Sequence, residues 1–188
     1  MTFSHAIIYS GPTNLPQSQS LRSQLAFLNQ PQQNTTGLLL VLSSWGGNTF
    51  EARSLYGLLR AVSYPIDIYA VGVIKSSAVP LFLAADRRTA APDVEFMFHG
   101  WTWSLDQHPG QPIEELQQTA MQLSHEVKWA RGVLQERAKL TSVDIDSLQL
   151  FEKPRIEGVD FALRYGLIDQ AIDLKIPVGI MTWNIVGG

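Results

Sequence analysis

Three apolar runs of strand length, each closed by small or polar residues, set the pattern of this chain. The first, Leu38 to Leu42, is too short for a helix and is bounded by Ser43-Ser44 and then Trp45-Gly46-Gly47. It reads as a strand of a parallel sheet, buried on both faces. The second, Ile66 to Gly72, leads through Val73-Ile74-Lys75 into Ser76-Ser77, and the third, Val94 to Phe98, carries His99 at its end. Between the first two, Ala52, Leu55, Tyr56, Leu59 and Val62 keep helical spacing. Ahead of them, His5 to Ser10 reads as a further strand, Ser18 to Leu28 as a helix using Leu21, Leu25 and Leu28, and Asn29 to Thr36 as a polar surface loop. The apolar stretch Ala78 to Ala85 reads as a helix; with Ser76 as its cap, Pro80 falls in the first turn, where a missing N–H breaks little internal bonding.

Downstream, Leu116, Ala120, Leu123, Val127, Ala130 and Leu134 hold a spacing of three and four, so the longest helix is expected from about Ile113 to Leu140, started by Gly110-Gln111-Pro112. The tail from Pro177 to Gly188 is unusually apolar for a chain end, with Val178, Ile180, Met181, Trp183, Ile185 and Val186, and is expected to pack on the domain or on a neighbouring subunit. No internal repeat is visible. Strands alternating with helices make this an α/β chain, read as one domain over residues 1–188.

The three strand ends carry the candidate chemistry. Acyl transfer needs a hydroxyl, a base within hydrogen-bond reach of it, and backbone N–H groups aimed at the oxyanion that forms when a carbonyl is attacked. Ser76, His99 and the amides of Gly47 and Ser77 can supply that set. A glycine suits the donor position because substrate must lie against the backbone there. The N–H after the nucleophile points along the start of a helix, where partial positive charge favours an anion. Duller readings stand beside each of these. Ser76 can be a plain cap, Ser77 the true hydroxyl if the turn shifts by one residue, and His99 a turn histidine. Gly46-Gly47 can be a bare turn, and Lys75 raises a Ser-Lys dyad, although a residue next to the serine at a tight corner should point elsewhere. His5, His108 and His125 lack comparable context.

The same residues resemble the Clp protease proteolytic subunit (ClpP) family within the ClpP/crotonase superfamily. Leu42-Ser43-Ser44-Trp45-Gly46-Gly47 is similar to its Asn-Ser-Pro-Gly-Gly turn, and Gly72-Val73-Ile74-Lys75-Ser76-Ser77-Ala78 to its Gly-x-Ala-Ala-Ser-x-Gly/Ala nucleophile turn. Ala91-Pro92 through Met97-Phe98-His99 resembles its Pro-to-Met-Ile-His segment, and Ala162 to Asp169 its Ala-x-x-Tyr-Gly-Leu-Ile-Asp. The spacing from Gly47 to Ser76 aligns without an insertion, which favours Ser76 over Ser77. The resemblance spans Ala6 to Ile172 and implies a β-α superhelix of repeated ββα units with a long protruding handle helix. It further implies a serine peptidase in a homo-oligomeric ring, acting on peptides or unfolded proteins. The handle would be the helix from Ile113, whose polar flank includes Gln117, Gln118, His125 and Lys128.

Departures from the pattern bear on activity. In the family an Asp orients the catalytic His; counting back from Tyr165-Gly166 puts Pro154 there, with Glu152 the nearest carboxylate. Glu152 is therefore the candidate third member, with a backbone carbonyl, a water or a degenerate site as the other readings. Loss of the Asp in such a site can cost about 10⁴ in turnover. The family also carries an N-terminal segment that helps engage an unfolding ATPase. Here the first strand begins almost at Met1, which leaves a Clp-type ATPase an open partner rather than an expected one. A non-catalytic ring subunit is one alternative. Another is a crotonase-like acyl-CoA enzyme, since Leu83-Ala84-Ala85-Asp86-Arg87-Arg88 with Ala90 resembles that branch's Leu-Ala-x-x-Asp-x-Arg-x-Ala.

Composition narrows the partners. A formal net charge of -3 with no long basic run gives no nucleic-acid footprint. No stretch is long and apolar enough to span a bilayer, and the start lacks the charged and apolar regions of a signal peptide, so a cytoplasmic chain is expected. With no cysteine there is no disulfide, thiolate metal site or cysteine nucleophile. No His and carboxylate spacing calls for a metal, and no cofactor is expected.

Overall fold

The structure is a computed structural model that describes residues 3–102, 110 and 112–187. His108 and Gln111 lie outside the described residues. The elements run β1 (His5–Ser10), α1 (Leu15–Leu28), β2 (Leu38–Ser44), α2 (Thr49–Ala61), β3 (Ile66–Lys75), α3 (Ala78–Phe82), β4 (Arg87–Ala90) and β5 (Glu95–Phe98). They continue with α4 (Ile113–Arg137), α5 (Ser142–Ser147), β6 (Arg155–Glu157), α6 (Val159–Arg164), β7 (Gln170–Ala171) and β8 (Met181–Val186). All eight strands join one sheet ordered β6-β5-β3-β2-β1-β8, with β4 on β3 and β7 on β4. Every pairing is parallel except β5 with β6.

The apolar run of β2 is buried from Leu38 to Leu42 because both faces of the sheet are covered. On one face Leu38, Leu40 and Leu42 meet Leu21, Leu25 and Leu28 of α1 and Leu55 and Leu59 of α2 in the main core. On the other, Leu39 and Val41 join Ala6 and Tyr69, packed beneath Ile172, Leu174, Ile176 and Ile180 of the extended segment that leads to β8. Tyr69 ties that segment down, its hydroxyl donating to the Ile172 carbonyl at 3.0 Å and accepting from the Leu174 N–H at 3.3 Å.

Several expected boundaries move, each for a local reason. The second central strand does not stop at Gly72. With φ +62° at Gly72 the register with β2 jumps from Leu42↔Ala70 to Ser44↔Ile74, and the strand goes on to Lys75, pairing first with β4 and then with β5. The first helix begins at Leu15, where the Asn14 side chain accepts from the Gln17 N–H. The long helix ends at Arg137 because the Lys139 N–H leaves the helical ladder for the Tyr165 carbonyl, 2.7 Å away. Its first three turns stay largely exposed, and burial begins at Glu126. The apolar tail becomes β8 on β1, with Ile185 buried and Trp183 stacked on His5.

Candidate active site

Ser76 stands where β3 turns into α3. Its N–H donates to the Met97 carbonyl at 2.8 Å, one step beyond the β3–β5 ladder, and its φ is +55°. That left-handed conformation is costly for a residue with a Cβ and recurs where a nucleophile is held up from a strand-to-helix corner. Ser76 does not cap α3: Ser77 holds the cap position, and its hydroxyl makes no capping bond. Lys75 ion-pairs with Glu95 at 3.7 Å.

The Gly46-Gly47 turn is pressed against this corner. A Cβ on Gly46, at φ +84°, would stand 2.6 Å from the Lys75 carbonyl oxygen and 2.8 Å from the Ser76 Cβ, so only glycine permits the approach. Thr13 clasps the turn from the other side: its N–H donates to the Gly46 carbonyl and its carbonyl accepts from the Asn48 N–H, both at 2.8 Å. The Gly47 carbonyl accepts from the Ser77 hydroxyl at 3.4 Å. Ser77 is wholly buried and its hydroxyl is also 3.0 Å from the Thr13 Oγ1, which leaves Ser76 as the serine that opens on the cavity.

His99 follows the last residue of β5 and is half-buried. Its Nδ1 lies 2.5 Å from the Gly100 carbonyl oxygen. A carbonyl only accepts, so Nδ1 is the donor in this contact. Ser76, His99, Gly46 and Gly47 all line one cavity of about 420 Å³, walled by Pro12, Trp45, Phe50, Trp101, Thr102 and Leu123. Trp45 and Phe50 form the rim, each about half exposed, at 50% and 48%.

The Glu152 carboxylate is not among the groups that line this cavity. It is exposed and accepts from the Gln149 side chain at 3.4 Å, although its backbone runs beside Gly100. The antiparallel register of β5 and β6, Phe96↔Glu157 through Phe98↔Arg155, brings Pro154 beside His99 when continued one step. Asp86, in the crotonase-like stretch, is occupied structurally: it accepts from the Ile66 N–H at 2.9 Å and pairs with Arg60 at 3.0 Å. Among the described residues no group of three or more His, Asp or Glu side chains could hold a metal ion, and no helix is long and apolar enough to cross a membrane.

The family model for Clp protease matches residues 1–175. The chain belongs to the Clp protease family. It is 27% identical over 180 residues to an ATP-dependent Clp protease proteolytic subunit from Deinococcus radiodurans, covering 89% of this chain and 80% of that relative. In fold it is similar to a ClpP1 mutant from Listeria monocytogenes, with a TM-score of 0.77 and 16% identity over 92% of this chain and 93% of the other. The α/β architecture is thus that of ClpP, and β8 lies beyond the family match.

Sequence reasoning missed Thr13, and it offered a backbone carbonyl as partner of the His99 ring without placing it at Gly100. Thr13 carried no signal beyond its place before the Asn14 cap, since its partners are 33 to 64 residues away. A main-chain acceptor has no residue type by which to find it.

Proposed function

We infer that the chain is a serine-type peptidase of ClpP type, and that its hydrolytic centre is the cavity shared by Ser76 and His99. The observation that carries this reading is the shared cavity itself, which Ser76, His99 and Gly47 all line. Ser76 Oγ attacks a peptide carbonyl while His99 Nε2 takes its proton. The N–H groups of Gly47 and Ser77 receive the oxyanion; with α3 only five residues long, these donors matter more than any helix dipole. His99 returns the proton to the leaving amine, and water then hydrolyses the acyl-Ser76 ester with His99 again as base. The Gly100 carbonyl keeps the imidazole in the required tautomer, and Glu152 takes no part. Family membership supports peptides or unfolded proteins as substrate and a homo-oligomeric ring as the working form.

A fluorogenic peptide assay on the purified protein tests this. Hydrolysis that disappears in both Ser76→Ala and His99→Ala is the expected result; hydrolysis that survives Ser76→Ala removes Ser76 from the role. A second reading, a ring subunit without catalysis, draws on one feature: the β5–β6 register, continued one step, sets Pro154 opposite His99, where the family resemblance would put an orienting carboxylate. Folded, assembled protein with no hydrolysis and no serine-reactive labelling would favour that reading.

A further inference from the structure

We propose that the buried hydroxyl pair of Thr13 and Ser77 is a positioning device that sets the spacing of the two oxyanion donors, resting on the peptidase reading of the cavity. Both residues are fully buried, at 0% exposure, and their hydroxyl oxygens are 3.0 Å apart. Three contacts are available to the pair. One is between the hydroxyls, one runs from Ser77 to the Gly47 carbonyl at 3.4 Å, and one from Thr13 to the Asn48 carbonyl at 3.5 Å.

Two hydroxyls carry two protons, so only two of these contacts can be donated at once. With the two hydroxyls bonded to each other, either Thr13 donates to Ser77 and Ser77 to Gly47, or Ser77 donates to Thr13 and Thr13 to Asn48. Both chains end on a carbonyl of the same loop. The Ser77 side chain therefore ties the loop bearing the Gly47 N–H to the residue whose own N–H is the second donor. Thr13 holds that loop from behind through its backbone as well. Buried hydroxyls are costly unless paired, and neither faces the cavity, so their placement is explained by what they hold.

The device acts on the tetrahedral state and not on ground-state binding, which Trp45, Phe50 and Trp101 provide at the cavity walls. Outright removal of one oxyanion donor costs about 10²–10³ in turnover, so displacing a donor without removing it should cost less, about tenfold.

The test is the rate of covalent labelling by a fluorophosphonate, separated into kinact and KI, for the full chain and for Ser77→Ala, Thr13→Val, Thr13→Ser and the Ser77→Ala/Thr13→Val double variant. The expected result is a kinact about tenfold lower in each of Ser77→Ala and Thr13→Val, with KI within about twofold of the parent. Thr13→Ser, which keeps the hydroxyl, regains most of the rate. The double variant loses no more than the worse single, because one device has been removed once. An unchanged kinact in folded variants overturns the proposal even where the melting temperature falls, as does a loss carried by KI. Should Ser77→Ala fail to fold, the contrast of Thr13→Val with Thr13→Ser decides the same question. Failure of the peptidase reading looks different: the parent protein is then unlabelled, or labelled away from Ser76.

Discussion

On one wall of the cavity the Gly46-Gly47 turn is held by the backbone of Thr13 and backed by the buried hydroxyl pair of Thr13 and Ser77. On the other wall the ring hydrogen bond of His99 among the described residues goes to the carbonyl of the very next residue, and the β5–β6 register continued one step sets Pro154 opposite it. The wall that would stabilise a tetrahedral intermediate is over-determined, whereas the wall that would move the proton is held locally. Catalysis by such a centre should lean on electrostatic stabilisation more than on a well-oriented base. Substitutions on the two walls should then fail in different ways.

The largest effect is expected from His99→Ala. Loss of a general base lowers the labelling rate at Ser76 by about 10²–10⁴, with the fold intact by circular dichroism. Gly46→Ala comes next: a Cβ at φ +84° and 2.6 Å from a backbone oxygen forces the turn away from the Ser76 corner. The expected loss is about 10² in rate, the scale of an ångström of misplacement, with about 1–3 kcal/mol of stability in chemical denaturation. The local character of the base wall predicts a gain as well. Pro154→Asp sets a carboxylate beside the imidazole and should raise the rate by about tenfold, a fraction of what an orienting carboxylate supplies elsewhere. Glu152→Gln should change the rate by less than about twofold, the range of an exposed carboxylate outside the cavity. If Glu152→Gln instead abolished activity, the account of the base wall would be wrong.

The smallest expected effect lies at the opposite end of the sheet. His5, stacked on Trp183 of β8, has its pKa lowered by burial. A group whose folded pKa lies below its unfolded value adds stability that is complete above about pH 6.5 and is lost as the pH falls through the folded value. Acidification below about pH 6.5 should therefore lower the melting temperature slightly and shift the Trp183 emission, and His5→Gln should flatten that slope. The same variant should leave the labelling rate at Ser76 unchanged at each pH, which keeps the strand edge and the cavity separate.

Much of the cavity was legible because each of its three loops ends an apolar run. Leu38–Leu42 reads as a buried parallel strand and Ile66–Gly72 as a second strand, and the loops that leave the ends of parallel strands gather on one side of the sheet. Strand β1 was read at its observed bounds for the same reason. The shorter strands β4, β6 and β7, of four, three and two residues, are too brief to show alternation and exist only because neighbours offer them an edge. The continuation of β3 to Lys75 turned on a positive φ at Gly72 that a glycine permits but does not announce. Between the adjacent serines, the family spacing from Gly47 favoured Ser76, and three dimensions add the physical difference. Ser76 opens on the cavity while Ser77 is buried against Thr13.

The most direct test of the central claim is the intact mass and peptide map of the protein after incubation with a fluorophosphonate. One adduct per chain is predicted, on the peptide containing Ser76, with none on Ser76→Ala. A chain that stays unmodified, or a Ser76→Ala variant that still gains the adduct, would contradict a hydrolytic centre built on Ser76 and His99.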